Sequence, residues 1–573
     1  MKRITVETIR ELYCSKIKMT KGITLIALVI TIIILLILAG ITIMQLIGEN
    51  SLMARAKEAK QKETEAEIRE TVQLMLYEYQ LEKVNNGELK LLEYLNRKKD
   101  EGKLDSVLDN NDGTIQVTTR GYSVKISESE QRIIELSNLE MDLIGTYEIK
   151  SYNGNTVKLL IKITNKNGKI NTIKCPDGNI LEFDGTKGTE EFYWDVIDGE
   201  KYDFIVATNG VNKVCTIQTQ GMTKINSIEI KNLRDFKEFQ TLVNAGYNFE
   251  NKKISLKSDL DLSNICYKVD GTVENDISWT PIGSETNPFK GMFDGEGHTI
   301  NNLYINKTED EQGLFGYASD GKISDIIIKG KIDIPSGTIL VKNYGAICAV
   351  CKDETIEKCM NYVDINVDID NYNSNNIGGI IGSSQSGYTK VSKCINYANV
   401  YGKQSVGGIV GAKALGTIEI QECCNFGIIK SAYCQVGGII GGTFGNKSII
   451  SNSYNTGNII AESNTPGEGG RVGGIIGIAI SWNETETINI NNCYNIGEVS
   501  VVDNYGGIIG LNQCNSSFSN CYFENTCGKG TDTGIQSIDA ATLKTYSNIL
   551  GEFYTEDTNN INNGYPILKW QIE

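Results

Sequence analysis

The residues best placed for acid–base chemistry lie in one short segment, Asp294-Gly-Glu296-Gly-His298. If this segment is a β-strand, its three polar side chains project to one face, because alternate residues of a strand share a face. Two carboxylates and an imidazole together could act as a general acid and base or as metal ligands. His298 is the single histidine of the chain, which excludes any zinc site or catalytic triad that needs two.

Cysteine is the second residue type that could do chemistry, and several of the fifteen cysteines recur at one position of a repeat. The copies are Cys359-Met-Asn361, Cys394-Ile-Asn396, Cys423-Cys-Asn425, Ser453-Tyr-Asn455, Cys493-Tyr-Asn495 and Cys521-Tyr-Phe523. One cysteine per copy, replaced once by serine, does not supply the paired ligands of a metal site. We therefore expect these cysteines to be structural, with no metal and no cofactor.

The elements that position these residues are repeats of about 30 residues. The motif Gly-Gly-Ile-[Ile/Val]-Gly begins at Gly378, Gly407, Gly437, Gly473 and Gly506. A period of this length without a helical pattern predicts short strands coiled into a parallel β-helix. Equivalent residues of successive coils then lie about 4.8 Å apart. The cysteines are expected to form an interior ladder, and the asparagines to bond amide to amide along the axis.

These repeats resemble the GLUG motif family, named for a Gly-Leu-x-Gly core that is seen here as Gly313-Leu-Phe-Gly316. GLUG repeats occur in bacterial surface adhesins and in the non-catalytic parts of IgA-specific metallopeptidases. The resemblance extends from Ile225 to Gln571 and implies a surface-interaction role. It also implies that Asp294–His298 is a turn that enters the first coil. The His-Glu-x-x-His signature of a zincin requires two histidines, so peptidase activity does not transfer.

Length and charge limit the class of protein. A chain of 573 residues predicts roughly three to five domains. Acidic residues number 71 against 55 basic ones, for a net charge of −16. This balance argues against nucleic acid as a partner, because phosphate binding needs a basic face.

The N-terminal region is expected to anchor the protein in a membrane. Residues 1–22 form a basic leader, and no charged residue occurs from Gly22 to Gly48. An apolar run of about 20 residues is enough to cross a bilayer as one helix, which predicts a transmembrane helix at 23–48. The preceding basic residues hold the N-terminus inside and direct the body outward. The predicted partner is the cytoplasmic membrane, and the body is expected to be extracellular.

The start of the apolar run resembles the prepilin leader of type IV pilins and pseudopilins. The residues that carry the resemblance are Lys21 and Gly22, followed by Ile23. It implies cleavage between Gly22 and Ile23, methylation of the new N-terminus and other pilin subunits as partners. Members of that family usually have glutamate five residues past the cut, where this chain has Ala27. Filament assembly and a simple anchor both stay open.

Residues 49–100 are expected to form an amphipathic helix. They are rich in strong helix formers, and one apolar face repeats at three- and four-residue steps, at Ile68, Val72, Met75, Leu76 and Tyr79. One interpretation is a stalk that lifts the body off the membrane. The other is a pilin-like head, completed by a small β region at 104–140.

The remaining chain divides into a spacer, an array and an end. Alternating patterns and Asn-Gly turns at 143–222 predict an immunoglobulin-like β-sandwich. Cys175 and Cys215 either pair across its sheets or are two separate buried thiols. The β-helical array is expected at 225–535 and a C-terminal cap at 536–573.

These features predict a mainly β, bacterial cell-surface protein, membrane-anchored or pilin-like, whose repeat array mediates adhesion or surface interaction. Its expected partners are host or cell-surface glycans or proteins, met by the rigid array and by loops such as 464–470. The alternative is a displayed β-helix enzyme that cleaves polysaccharides with carboxylates alone. No spacing in the sequence singles out a carboxylate pair, so we expect binding rather than catalysis. A third hypothesis is a plain anchored structural protein.

Overall fold

The computed structural model describes residues 52–138, 141–208, 211–268, 276–335, 342–368, 375–433, 435–462, 471–481, 487–500, 505–530 and 532–573. The leader, the predicted span at 23–48, and Gly22 with Ile23 lie outside these residues, as does the loop 464–470. No helix within the described ranges is long and apolar enough to cross a membrane.

By internal contacts the chain divides into two compact units. The first contains the described residues of Met1–Ile144, Ile163–Glu190 and Phe204–Cys215. The second contains those of Gly145–Lys162, Glu191–Asp203 and Thr216–Glu573. The repeats therefore belong to the second unit.

A small head of two helices and four strands begins the first unit. Helix α1 is Leu52–Asn85 and helix α2 is Leu91–Asp100. The predicted single helix is broken because Asn86-Gly87 follows α1, and glycine favours helix ends over helix interiors. The antiparallel sheet has the order Ser106–Asp109, Thr114–Thr119, Tyr122–Ser127 and Arg132–Asn138.

The apolar face of α1 is buried in this head. Its residues Ile68, Val72, Leu76 and Tyr79 are at most 2% exposed. They share one hydrophobic core with α2 and with the inward side of the sheet, including Tyr94, Leu95, Ile115, Val117 and Val124. The second half of α1 therefore belongs to a packed head, because a free stalk would leave this face in water.

Residues 143–218 form seven strands in two sheets. The three-stranded sheet has the order Leu143–Tyr152, Val157–Asn165 and Thr189–Val196. The four-stranded sheet has the order Val211–Gln218, Lys201–Thr208, Thr172–Lys174 and Ile180–Glu182. Cys175 and Cys215 are separate buried thiols in the structure, and burial raises the pKa of each.

The repeats form a parallel β-solenoid of about nine turns over residues 227–523, so the predicted β-helix is confirmed. Its sheet 1 has twenty-two strands: Ser227–Ile230, Lys253–Leu256, Leu260–Asp261, Met292–Asp294, Thr299–Ile305, Lys322–Ser324, Ile327–Ile334, Thr355–Glu357, Met360–Val367, Tyr388–Ser392, Ile395–Asn396, Val400–Gly402, Thr417–Gln421, Cys424–Asn425, Ile429–Ser431, Ser448–Ser451, Tyr454–Asn455, Ile459–Ala461, Thr487–Asn495, Val499–Ser500, Asn515–Glu524 and Ile535–Ile538.

Two further parallel sheets complete the coils. Sheet 2 has seven strands: Phe315–Ser319, Cys348–Lys352, Ile381–Ser384, Val410–Lys413, Ile440–Phe444, Ile476–Ile480 and Ile509–Gln513. Sheet 3 has six strands: Lys342–Gly345, Asn375–Gly378, Ser405–Gly407, Val436–Gly437, Val472–Gly473 and Tyr505–Gly506. The Gly-Gly-Ile motif forms the turn from sheet 3 to sheet 2 in the five coils that contain it.

A helix covers the start of the solenoid. Helix α3, Leu233–Asn244, is capped by the Asn232 side chain, which accepts a hydrogen bond from the backbone N–H of Asp235 at 3.1 Å. Its Phe236 and Phe239 join a buried aromatic cluster with Trp279, Phe289, Phe293 and Phe315. A cap of this kind keeps the apolar interior of the first coils out of water.

The C-terminal residues 539–573 form a strap along the flank of the solenoid. They contain helix α4, Ala540–Leu543, the antiparallel strands Tyr554–Thr555 and Ile567–Leu568, and the 3₁₀ turns Tyr546–Asn548 and Lys569–Gln571. The Tyr454 hydroxyl donates to Gln571 Oε1 at 2.8 Å. The strap buries the middle residues of the last four copies of the repeated three-residue signature, namely Cys424, Tyr454, Tyr494 and Tyr522. These residues point away from the interior and would otherwise expose a strip of thiol and aromatic groups.

Candidate functional site

The Asp294–His298 segment is a turn between the strands Met292–Asp294 and Thr299–Ile305. Glu296 and Gly297 have left-handed φ angles of 49° and 78°. A left-handed residue pair reverses the chain, so the side chains do not share one strand face.

Each ionisable side chain of this turn has a partner of its own. Asp294 lies 3.0 Å from the Lys253 ammonium, and Glu296 lies 2.5 Å from that of Lys257. Partial burial opposes ionisation of Asp294, but the hydrogen bond from Lys253 lowers its pKa. His298 Nδ1 lies 3.1 Å from Asp259 Oδ1. Within the described residues no group of three His, Cys, Asp or Glu side chains is placed to hold a metal ion.

The repeated cysteines form a column inside the solenoid. Cys359, Cys394, Cys423, Cys493 and Cys521 are all 0% exposed, and the last two are paired directly in the register of sheet 1. Each thiol lies 3.2 to 3.4 Å from the carbonyl oxygen two residues earlier, to which it donates. Ser453 makes the same bond at 2.8 Å, which explains why serine can replace cysteine in one coil.

The asparagines form a second interior column. Asn361, Asn396, Asn425, Asn455 and Asn495 are 0% exposed. Each of the first four donates from Nδ2 to Oδ1 of the next at 2.7 Å. Every Nδ2 in the column also donates to the carbonyl two residues later in its own coil. The column therefore satisfies buried amides that would otherwise cost free energy.

The Gly-Gly motif packs directly on this asparagine column. A Cβ at Gly408 would lie 2.5 Å from Cγ of Asn425 and 2.2 Å from the carbonyl oxygen of Gly438. No real Cβ approaches backbone that closely, so only glycine fits. The glycines of the Gly-Gly-Ile motif and the asparagines of the cysteine repeat therefore pack against each other inside the solenoid.

A cavity of about 810 Å³ in the second unit lies between residues 145–149 and helix α3. Its buried carboxylate, Glu238, accepts from the Tyr147 hydroxyl at 2.6 Å and from the Gln220 N–H at 2.9 Å. Burial raises the pKa of Glu238. Because this carboxylate already has internal partners, the cavity offers a ligand few directed contacts.

A groove of about 530 Å³ between the solenoid and the strap is the better candidate for a binding site. The solenoid contributes residues of four successive coils, and the strap contributes Ile561 and residues of its C-terminal end. The lining residues are Gly297, Asp325, Ile327, Lys358, Met360, Lys393, Ile395, Tyr397, Ile561, Trp570, Gln571 and Glu573. A concave, largely apolar floor with a few charged groups at its rim is typical of a ligand site.

Two lysines on adjacent coils form the cationic rim of the groove. Lys358 lies 4.0 Å from Asp325, and Lys393 lies 3.9 Å from Glu422. At these distances partly exposed ion pairs are weak, so both ammonium groups can also engage a ligand. Burial raises the pKa of Asp325, whereas the charge of Lys358 lowers it.

The backbone at these lysines supports a role for their side chains. Lys358 and Lys393 have left-handed φ angles of 53° and 54°. At the same corner of later coils the residues are Glu422 and then Asn452, Asn492 and Asn520, and asparagine tolerates this conformation better than lysine or glutamate does. Lysine is therefore a locally unfavourable choice there, as often found where a side chain serves a function.

The aromatic floor of the groove is held rigidly. The Tyr397 ring is stacked between Tyr362, at 4.7 Å and 12°, and Phe426, at 5.1 Å and 10°. On the strap, Trp570 Nε1 donates to the Glu422 carbonyl at 3.2 Å. Sequence reasoning missed this site because the strap brings Trp570 next to residues about 170 to 250 positions earlier. The available signal was an aromatic residue directly after the asparagine in three successive copies, at Tyr362, Tyr397 and Phe426.

Comparison with known proteins matches residues 432–460 to the GLUG motif family. No curated protein matches the chain. Among solved structures, an IgA1 protease is similar at 14% identity and a TM-score of 0.33, over 78% of this chain and 30% of that one. At that TM-score the similarity carries no argument about function. The GLUG assignment of the repeats is confirmed for one coil.

Proposed function

We propose that this protein is displayed outside the cell and binds an acidic glycan in the groove between its β-solenoid and its strap. The GLUG motif and the solenoid support a surface-exposed repeat protein. The binding serves adhesion or surface interaction, with host or cell-surface glycans as the partners. The groove binds its ligand without cleaving it.

One observation carries the ligand class, namely the pairing of an aromatic floor with two adjacent lysines. Trp570, together with the edge of the Tyr397 ring, whose two faces are covered by Tyr362 and Phe426, offers apolar aromatic surface against which a sugar ring can pack. Lys358 and Lys393 can donate charge-assisted hydrogen bonds to a sugar carboxylate. Because each ammonium also faces a protein carboxylate, we expect modest affinity per site and binding that weakens with salt.

The direct test is titration of the full-length chain with a panel of acidic and neutral polysaccharides of matched length. We expect a uronic-acid polymer to bind more tightly than its neutral counterpart at low salt. Lys358→Ala with Lys393→Ala should weaken binding at least tenfold, since two charge-assisted bonds are lost. Tyr397→Ala should weaken binding of both polymer classes.

The matched control is Lys390→Ala. Lys390 also lies in an ion pair at 3.9 Å, with Glu419, but it does not line the groove. Equal loss of binding in the control and the double variant would contradict the groove as the site. Release of reducing sugar ends from any polymer in the panel would instead favour the displayed polysaccharide-cleaving enzyme.

The attachment to the membrane is proposed separately. The apolar run at 23–48 and the boundary between Gly22 and Ile23 support a prepilin-type processed anchor, and the alternating strands of 143–218 support an immunoglobulin-like spacer between head and array. The mass and N-terminal residue of the mature protein test the anchor. Ile23, with an added methyl group, is expected for prepilin processing. An intact Met1 would mean a simple anchor.

A further inference from the structure

One cysteine of the repeats lies outside the interior column and faces the strap. Cys424 is the middle residue of the copy Cys423-Cys-Asn425, and no other copy of this signature has a thiol at its middle position. On the strap, the side-chain amide of Gln571 places its Nε2 atom 3.6 Å from Sγ of Cys424. The carboxamide carbon is bonded directly to that nitrogen. A sulfur nucleophile therefore lies beside an acyl group that it can attack.

The oxygen of the same carboxamide is held by two hydrogen-bond donors. Oε1 of Gln571 accepts from the Tyr454 hydroxyl at 2.8 Å and from the backbone N–H of Leu568 at 2.9 Å. Donors at about 2.7–3.1 Å are typical of an oxyanion hole, which stabilises the negative charge that develops when a nucleophile attacks a carbonyl carbon. Burial raises the pKa of Tyr454 well above its ordinary value, so its hydroxyl keeps the proton and remains a donor.

The surroundings of the sulfur exclude water on one side and are open on the other. Cys424 and Leu568 are 0% exposed and belong to one hydrophobic cluster. The bond from Trp570 Nε1 to the Glu422 carbonyl, at 3.2 Å, fixes the strap at this level of the solenoid. Gln571 is only partly buried, and it lines the groove. An acyl group here is sheltered from hydrolysis by the cluster and accessible to a ligand in the groove.

We propose that Cys424 and Gln571 form an internal thioester bond, and that its acyl group is transferred to a primary amine that enters the groove. The nucleophile, the acyl carbon and both oxyanion donors are already assembled in the folded chain. Such alignment can replace a very high concentration of an external reactant, which is how a carboxamide becomes open to attack by a thiol.

Thioester formation needs no reactant from outside the chain. Sγ of Cys424 bonds to Cδ of Gln571, and the electron pair of the C=O double bond moves to Oε1. Burial raises the pKa of Cys424 well above its ordinary value, so the thiol carries its proton, and this proton moves to Nε2. The C–N bond then breaks, ammonia leaves and the C=O bond forms again. The solvent dilutes the ammonia, which opposes the reverse reaction.

Transfer to an amine restores the thiol. The nitrogen of an uncharged primary amine bonds to Cδ of Gln571, the C–S bond breaks, and a proton of the amine passes to Sγ of Cys424. A new amide bond then holds the ligand on the strap. The thioester does not depend on the acidic-glycan proposal, because it forms between two residues of this chain.

The first test is the mass of the purified full-length chain, kept free of amines and thiols. We expect a mass about 17 Da below that of the unmodified chain, equal to the loss of one ammonia. Cys424→Ala should abolish this deficit. The matched control is Cys423→Ser, which changes the neighbouring thiol of the interior column and should retain the deficit.

The second test uses methylamine as the nucleophile, followed by digestion with trypsin. The peptide that begins at Trp570 should become about 14 Da heavier, because a methyl group is added to the side-chain amide of Gln571. Tyr454→Phe keeps the ring that stacks on Tyr494 at 4.9 Å but removes one donor to Oε1. It should remain folded and slow the labelling at least about tenfold.

The outcomes separate the thioester from the glycan proposal. An unmodified mass with no methylamine on Gln571 would overturn the thioester. Glutamate at position 571 of the parent chain, absent from Cys424→Ala, would instead show a thioester that formed and was then hydrolysed. Labelling of a chain that binds no acidic polymer would support the thioester and contradict the glycan proposal, and binding without labelling would do the opposite.

Discussion

The interior columns of the solenoid and the groove on its flank are built on opposite principles. Inside, one residue type recurs over five successive coils, as with Asn396, Asn425 and Asn455, and each copy is bonded to the next. In the groove only isoleucine recurs more than twice among the lining residues, and the strap contributes Trp570 from outside the array. Repetition of side chains thus marks the packed interior, whereas departures from the repeat mark the surface that can recognise a partner.

The reason is the geometry of stacking. A buried position in one coil meets the equivalent positions above and below at about 4.8 Å, so a side chain that bonds or packs on a copy of itself is favoured at every level. A surface residue need not bond to or pack on the equivalent residue of the next coil. A groove forms on the surface where a non-repeating element such as the strap lies against the coils.

The largest effect should come from breaking the asparagine column. Asn425→Ala removes the bonds from Asn396 and to Asn455 and leaves a cavity. Two buried groups without partners should lower the free energy of unfolding by about 4 kcal/mol. Chemical denaturation checks this value. Asn489→Ala, which removes an outward amide bonded to Ser517, should cost about 0.5 kcal/mol or less. Equal losses of stability in Asn425→Ala and Asn489→Ala would contradict the distinction between interior columns and outer surface.

A slightly smaller loss should follow from adding one methyl group at the Gly-Gly turn. Gly408→Ala places a Cβ 2.2 Å from the Gly438 carbonyl oxygen, so the coils must separate, at a cost of about 3 kcal/mol. The same denaturation measurement applies. Gly87→Ala is the control, since a Cβ there meets nothing within 4 Å, and it should leave the midpoint nearly unchanged.

The cysteine column should tolerate serine, because Ser453 already occupies one of its positions. Cys423→Ser reproduces the residue found at Ser453, whose hydroxyl donates to the Ser451 carbonyl at 2.8 Å. Exchange of a buried thiol for a more polar hydroxyl should cost about 1 kcal/mol. A loss as large as that of Asn425→Ala would show that the thiols do more than fill space.

The smallest effect should be the pH response of Glu311, which lies between interior and surface. Burial raises the pKa of Glu311 to about 7, against about 4.3 in an unfolded chain. Since the folded state binds its proton more tightly, this contribution is full below about pH 4 and is lost as the pH rises through 7.

Glu311→Gln should therefore reduce the decline in stability between about pH 5 and pH 8, by less than about 1 kcal/mol because the group is partly exposed to solvent. Unfolding midpoints measured across this range check the difference. An unchanged pH profile would mean that solvent already screens the carboxylate, as on the outer face.

Much of the fold can be predicted from the sequence alone, because a repeated sequence pattern reflects a repeated structural unit. The spacing of Gly407 and Cys423 copies predicts a parallel coil and its two interior ladders without reference to any long-range contact. The apolar face from Ile68 to Tyr79 likewise predicts which side of α1 is buried, because helical spacing places those residues together.

Tertiary structure decided the rest. It alone distinguished a packed head from a stalk, because the partner surface of α1 is contributed by strands 106–138, which the spacing within the helix does not specify. It alone made Asp294–His298 a turn with separate ion pairs. It also laid the strap along the flank, which brought Trp570 to Lys358 and Lys393. Contacts within a repeat unit are encoded locally, whereas contacts between non-repeating segments depend on where the whole chain places them.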